Sequence, residues 1–308
     1  MDKIKWGIIG CGDVTEKKSG PAFNKVPDSQ LVAVMRRDAS KAEDYAKRHQ
    51  VPKWYSDAQA LINDPQVNAV YIATPPSSHK EYAIAALRAG KPVYVEKPMA
   101  MNAAEGREMN AEAELTNIRL TVAHYRRELP LFKTIKSLLA ENAIGRPIFA
   151  DLKMMQPAAL PLVAKTETNW RTNPAVSGGG LFHDLAPHQL DLMYYFFGKP
   201  VKATGVSTNN SKANEADDLV SGQILFNEGI VFNGLWCFSV PEAEALDRVT
   251  ITGASGKIEF AVFGNYIRLN AGGTETKLEF EQPEHVQQPM IEAVVKYFLG
   301  KGENPCTA

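Results

Sequence analysis

The sequence predicts an α/β chain in two parts, a doubly wound parallel sheet followed by an α+β domain with a large, mostly antiparallel open sheet. Three observations carry this expectation. Up to Ala123, apolar runs alternate with stretches of helical spacing, the pattern of βαβ units. Beyond Val201 the period switches to short strands joined by turns such as Asn227-Glu228-Gly229, which read as hairpins. A chain of 308 residues is also long for one core.

The first element is the apolar run Trp6 to Ile9, read as a buried parallel strand. It feeds into Gly10-Cys11-Gly12, where the chain must turn sharply. The first glycine permits the turn, and the second lets backbone amides approach a pyrophosphate with no side chain between them. A helix starting just after would aim its partial positive end at that anion. Thr15 stands where a third glycine is usual, which predicts a slightly wider gap between helix and strand. This is the Rossmann pattern of dinucleotide binding. Gly20-Pro21 should interrupt the first helix and restart it. Lys17 and Lys18 lie where phosphates or a polar substrate would sit, or else on a solvated turn.

Leu31 to Met35 is the second strand, ending at Arg36-Arg37-Asp38. An acidic residue usually stands there and accepts bonds from the adenosine ribose of NAD. Arg36 would instead suit a 2′-phosphate, so NADP is favoured over NAD, unless Asp38 supplies the acid from one register later. Ser40 to His49 is helical, Val67 to Ala73 is the fourth strand, a third lying unplaced before it, and Ser77 or Ser78 can cap the helix that runs to Ala89, with Gly90 ending it. Pro92 to Val95 is a further strand leading to Glu96-Lys97-Pro98. Ligands of open α/β sheets bind beyond the carboxyl ends of strands, so Thr74, Glu96 and Lys97 arrive at one rim. Asn102 to Glu114 is a helix and Arg119 to Ala123 the sixth strand, after which His124-Tyr125-Arg126-Arg127 crosses into the second domain. The boundaries expected are 1–123 for dinucleotide binding and 124–308 for substrate binding and oligomerisation.

In the second part, Pro130 to Ala140 is an amphipathic helix and Ile148 to Met155 a strand. The periodicity dissolves from Gln156 to Val176, a loop long enough to be functional. Ser177-Gly178-Gly179-Gly180 then opens a helix that carries Asp184, His188 and Asp191 on one face. Strands follow at Val201–Ser207, Leu219–Phe226, Ile230–Phe238, Asp247–Thr252, Gly256–Phe260, Asn265–Asn270 and Thr274–Phe280. Val286 to Leu299 is the last helix.

Composition excludes other classes. Charged residues are 22% and the net charge is −1, so no electrostatic footprint for nucleic acid exists. No stretch reaches the ~20 apolar residues that span a bilayer. Cys11, Cys237 and Cys306 have neither disulfide nor metal spacing, which fits a reducing, cytoplasmic compartment. Asp184, His188 and Asp191 have permissive metal spacing, but no second ligand cluster supports them, and no metal site is expected.

Gly10-x-Gly12, Glu96-Lys97-Pro98 and Gly178-Gly179-Gly180-x-x-x-Asp184-x-x-x-His188-x-x-Asp191 occur in one order over nearly the whole chain, with Trp170-Arg171 before the glycines. In this the sequence resembles the Gfo/Idh/MocA family. The resemblance implies hydride exchange between NAD(P) and a sugar or cyclic polyol, with Lys97, Asp184 and His188 as the catalytic set. The cofactor set expected is Gly10, Cys11, Gly12, Asp13, Val14, Arg36, Arg37, Thr74, Pro75, His79, Glu96 and Lys97. Lys18, Tyr125, Arg126, Trp170 and Arg171 are the expected substrate wall.

His188, with an ordinary pKa near 6.5, is suited to remove the hydroxyl proton. Asp184 would orient the substrate or the imidazole, and Lys97 would stabilise charge on the reacting oxygen. His183 is structural or shields the cofactor. Two other classes fit the same residues: a glycosidase working through transient oxidation, and a non-catalytic dinucleotide sensor. The chain stops at Asn304-Pro305-Cys306-Thr307-Ala308, where relatives usually continue into a helix returning to the first domain, and the sequence leaves the docking of this end open. Val231, Leu235 and Cys237 oppose Ile230, Phe232, Trp236 and Phe238 across one strand. Neither sheet face looks wet, and with the resemblance this implies a homodimer or dimer of dimers.

Overall fold

The computed structural model describes residues 2–158 and 170–307. The first half runs β1 (Ile4–Ile9), α1 (Asp13–Lys17), β2 (Ser29–Met35), α2 (Ala39–Arg48), β3 (Lys53–Tyr55), α3 (Ala58–Asn63), β4 (Ala69–Ile72), α4 (His79–Arg88), β5 (Val93–Val95), α5 (Ala103–Thr116) and β6 (Leu120–Val122). Its strands form a six-stranded sheet in the order β3-β2-β1-β4-β5-β6, parallel throughout. Helices cover both faces, which is why the strands read as unbroken apolar runs: every residue of β4 and β5 is buried. The order reverses between β1 and β4, and the crevice opens beyond their carboxyl ends.

Helix ends follow local chemistry. Asp38, Asp57 and Asn102 cap α2, α3 and α5 through their side chains, and Asn117 closes α5 in the left-handed region. Ser78 precedes α4 but does not cap it; its hydroxyl donates to Thr74 Oγ1 and to the Pro75 carbonyl. The first helix is interrupted at Gly20-Pro21 as expected, leaving α1 five residues long before a 3-10 segment, Gly20–Asn24. So short a helix has little dipole to offer an anion. The hydroxyl of Thr15 is turned inward and donates to the Gly12 carbonyl at 2.8 Å. The sequence counts a third strand without placing it and shows no α3, because three strand residues and six helical ones are too few to establish a period.

The second half runs α6 (Pro130–Ala140), β7 (Pro147–Met155), α7 (Pro174–Ser177), α8 (Gly180–Phe197), β8 (Pro200–Thr208), β9 (Leu219–Phe226), β10 (Val231–Cys237), β11 (Leu246–Gly253), β12 (Gly256–Phe260), β13 (Tyr266–Ala271), β14 (Thr274–Glu279) and α9 (Gln288–Phe298). Its eight strands form one sheet in the order β14-β13-β12-β11-β7-β10-β9-β8. All pairs are antiparallel except β7 with β10 at the centre. Phe232 and Trp236 of β10 are buried, and Trp236 donates to Gln189 of α8. Val231, Leu235 and Cys237 on the opposite face are half-buried.

The docking that the sequence leaves open at the end of the chain is visible in the structure. The Phe298 ring of α9 lies 5.6 Å from the Trp6 ring of β1, and Arg119 donates to the Tyr297 and Phe298 carbonyls at 2.7 and 2.6 Å. Asn304 and Cys306 then run along β6: Thr121 and the Val122 amide donate to them, and Asn304 donates to the Leu120 carbonyl. Aromatic packing and bonded carbonyls thus anchor the end of the chain on the first sheet.

Candidate active site

A cleft of about 780 Å³ opens at the carboxyl rim of the first sheet and extends to α8 of the second half. Its floor begins at Gly10, which has φ +94; a Cβ there would lie 2.7–2.8 Å from Thr74, after β4. The close approach of the two strand ends therefore requires glycine. At Gly12, by contrast, an added Cβ would meet only the Gly10 carbonyl at 4.0 Å, so the turn leaves room for a ligand against its backbone. This space and the glycine turn fit a dinucleotide pyrophosphate.

Cys11, Asp13 and Val14 line the cleft beside these glycines, with Thr74 and Pro75 facing them. Arg36 and Arg37 line its outer end, and Arg36 Nη1 is 3.4 Å from the Cys11 carbonyl. Asp38 also lines the cleft, and one of its carboxyl oxygens is used as the cap of α2. Its Oδ1 accepts from the Ser40 hydroxyl and from the Ser40 and Lys41 amides, and these bonds hold its carboxyl below the usual range. Arg48 stands nearby but is engaged by Glu16 and Asp44 at 2.7–2.8 Å; that partnership lowers Glu16 to about 2.

His79 was expected at the cofactor and is not on the cleft wall. The ring is fully buried, with Nδ1 3.0 Å from the Pro98 carbonyl and Nε2 2.7 Å from the Thr74 carbonyl. It ties the two rim loops together. Burial holds it below the ordinary histidine range, against two carbonyls that favour the charged ring.

Lys97 follows β5, and its Nζ donates to Asp184 Oδ1 and to the Asp184 carbonyl, both at 2.8 Å. Asp184 Oδ2 accepts from Arg171 Nε at 3.1 Å. The carboxyl is buried, which alone would raise its pKa, but Lys97 and Arg171 together lower it. Asp184 is thus bonded by Lys97 and Arg171, and Arg171, expected on the substrate wall, lines the cleft while it binds this carboxylate. Trp170 stacks under the Arg171 guanidinium at 4.5 Å, and both line the cleft. Residues 159–169 of the preceding loop lie outside the described residues.

His188 lies one turn beyond Asp184 on α8, buried, with Tyr125 and Phe263 edge-on at 5.3 and 5.6 Å. Its Nδ1 is buried and has no partner among the described residues. Burial, then Lys97, Arg126, His124 and Lys18, push the ring well below 6.5, so the ordinary histidine value expected from sequence does not apply. Asp191, three residues further, is held bidentately by Arg127 at 2.6–3.1 Å. Asp184 and Asp191 are thus engaged by different cations. His183 faces away from this set; its ring packs against Gly178 and Gly179, with Nε2 3.3 Å from the Ala100 carbonyl.

Glu96 is no surface partner for Lys97. It is buried, accepting from Tyr71 at 2.6 Å and Gln287 at 2.7 Å on Oε1, and from the Lys97 amide on Oε2. Gln287 and Phe263 line the cleft and were not anticipated; both reach it from strand-joining or helix-leading segments far along the chain. Tyr125, Arg126 and Lys18 also line the cleft. Lys17 does not line it, and its carbonyl meets His285 Nδ1 at 2.7 Å.

Comparison with known proteins places this geometry. Residues 4–124 match the oxidoreductase family with an NAD-binding Rossmann fold, and residues 132–259 match the GFO/IDH/MocA C-terminal domain. Oxidoreductase P35 of Formosa agariphila is 48% identical over 305 residues, 99% of this chain and 94% of that protein. The trans-1,2-dihydrobenzene-1,2-diol dehydrogenase of Bos taurus is 32% identical over 82% of this chain and 72% of that protein. The crystal structure of an aldose-aldose oxidoreductase from Caulobacter crescentus, complexed with glycerol, superposes with a TM-score of 0.87 at 24% identity, covering 99% and 92% of the two chains. The glycine turn below a two-sheet cleft, the Lys97–Asp184 pair and these matches agree: the chain belongs to the Gfo/Idh/MocA family of NAD(P)-dependent oxidoreductases.

Proposed function

We propose that the protein is a dehydrogenase or reductase acting on a CH–OH carbon of a sugar or cyclic polyol, with NADP preferred to NAD. The observation that carries this reading is the contact of Lys97 with Asp184, which brings the rim of the dinucleotide-binding sheet against the helix holding His188. A nicotinamide cofactor, when bound, supplies the hydride chemistry. The chain's own residues handle the proton and the charge. His188 is neutral at ordinary pH and accepts the hydroxyl proton as the alcohol is oxidised, or returns it in reduction. Lys97, fixed by Asp184, donates to the reacting oxygen and stabilises charge as it builds there. Arg171 holds the second Asp184 oxygen, which keeps the carboxylate ionised and Lys97 aimed.

Arg36 and Arg37 support NADP, because an arginine can pair bidentately with a 2′-phosphate while Asp38 is occupied as a helix cap. The relatives named for a diol dehydrogenase and an aldose oxidoreductase support a hydroxylated carbon substrate. The half-buried outer face of the second sheet, with Val206 71% exposed on the edge strand β8 and Leu225 38% exposed on its neighbour β9, supports a homodimer or dimer of dimers formed there. Incubation with NADP+ and a panel of sugars and polyols tests the reading through stoichiometric reduced-nicotinamide absorbance. Sugar release with no net cofactor change would indicate glycoside cleavage, and binding without any turnover a sensor.

A further inference from the structure

Positive charge in the substrate half of the cleft exceeds its negative charge. Lys97 and Arg171 share Asp184, and Glu96 is directed to Tyr71, Gln287 and a backbone amide. Arg126 and Lys18 remain. Arg126 is 6% exposed yet lines the cleft, and no carboxylate of the described residues pairs with it. Its Nη1 donates to the Val262 carbonyl at 2.6 Å, its plane lies 4.3 Å from the Phe263 ring, and its buried Nε has no acceptor. Asp247 is the acidic group that acts on it. That carboxyl accepts the Phe263 amide, and burial raises its pKa, so it is a weak counter-charge. Lys18 is exposed at the cleft; its carbonyl accepts the Gln287 amide, while its ammonium has no acceptor among the described residues.

A guanidinium sequestered without an anion is costly unless a ligand brings the anion. We propose, on the oxidoreductase reading above, that the substrate is a carboxylate-bearing sugar or polyol of the hexuronate or aldonate class, its carboxylate held by Arg126 and Lys18. A planar carboxylate suits the remaining N–H groups of an arginine already backed by an aromatic ring. The aromatic wall of Tyr125 and Phe263 leaves the carbon skeleton an apolar surface to lie on. A phosphate ester shares the negative charge and is an arm of the test.

The test uses the protein loaded with NADP+ and matched pairs: glucose with glucuronate, galactose with galacturonate, glucitol with gluconate, and glucose 6-phosphate as the phosphate arm. The carboxylate member of a pair is expected to have a kcat/KM at least ~10-fold higher, a preference that shrinks as salt rises. Lys18→Gln is expected to lower the ratio of carboxylate to neutral kcat/KM about ten-fold, through KM. Arg126→Lys, which keeps the charge and loses the fork, lowers it too, and Lys18→Gln carries the test if that variant misfolds. If no pair turns over, stabilisation of the loaded protein by carboxylate members alone supports the proposal, and no thermal shift from any of them overturns it. Equal or greater activity on neutral members, or a preference for the phosphate ester, overturns it while leaving the oxidoreductase reading standing. So does a Lys18→Gln variant that weakens NADP binding and leaves the ratio unchanged. Failure of calorimetry to detect any dinucleotide binding sinks both.

Discussion

Gln287, one residue before α9, donates through Nε2 to Oε1 of Glu96 at 2.7 Å, a bond between residues 191 apart in sequence. It makes the end of the chain part of the cleft at its beginning. Gln287 also accepts from Tyr94 at 3.3 Å, and its amide reaches the Lys18 carbonyl.

Gln287→Ala should therefore cost about 1–3 kcal/mol, the penalty for leaving a buried carboxylate short of a donor. Urea unfolding monitored by tryptophan fluorescence measures it. An unchanged midpoint would mean that Glu96 finds another donor without loss.

His188→Asn should lower kcat by at least ~100-fold, the usual worth of a general acid–base group. The pH profile gives a second check. Only the neutral ring accepts a proton, and its pKa is held well below 6.5 by burial and by Lys97, Arg126, His124 and Lys18. Oxidation should then be flat through neutrality and past 6.5, falling only at lower pH as the ring becomes charged. An acid limb centred at or above 6.5 in the wild type would remove His188 as the titrating base.

Asp184→Ala removes the carboxylate shared by Lys97 and Arg171, both mostly buried, and should destabilise the protein by about 3–5 kcal/mol. Asp184→Asn keeps the shape and should fold better, yet still lose activity because Lys97 is no longer aimed. Combining Asp184→Asn with Lys97→Met should cost much less in kcat than the two single losses added, since they act as a unit. Full additivity would argue that Asp184 has a separate role.

NADP should bind at least ~10-fold tighter than NAD, equivalent to about 1.4 kcal/mol. Arg36→Asp should reverse that order by removing a cation and supplying a ribose acceptor. Fluorescence titration of both cofactors against both proteins decides it, and equal or stronger NAD binding by the wild type counts against Arg36.

Light scattering at micromolar concentration should give a mass of twice or four times 33.8 kDa. Exchanging Leu235 or Leu225 for lysine on the outer sheet face should shift it toward the monomer without unfolding the chain. A wild-type monomer would mean that this face stays in water.

The sequence revealed the elements whose period is long or whose ends are chemically marked. β1, β4 and β5 are legible as apolar runs, α6, β9 and β12 have the expected bounds, and the hairpins follow from their turns. Residues that act through distant contacts were legible only as types. Asp184 could be placed one turn from His188, but whether it turned to that ring or to Lys97 depended on how two domains meet. The same holds for Gln287 and Phe263, which carry no local motif and matter because α9 and the β12–β13 connection fold back to the cleft. The ordinary pKa assumed for His188 failed for a related reason, since its neighbours Lys18, Lys97 and Arg126 come from three separate segments.

Residues 304–306, lying along β6, set a timetable for synthesis. β6 is the edge of the first sheet, and its partner segment leaves the ribosome about 184 residues later. Until then, the nascent first domain has a bare strand edge and an aromatic surface at Trp6 that awaits Phe298. Translation pauses in the second half would prolong that exposure, and a chain cut before Asn304 would leave the β6 edge bare even with Phe298 in place, giving a protein prone to pair edge to edge during expression.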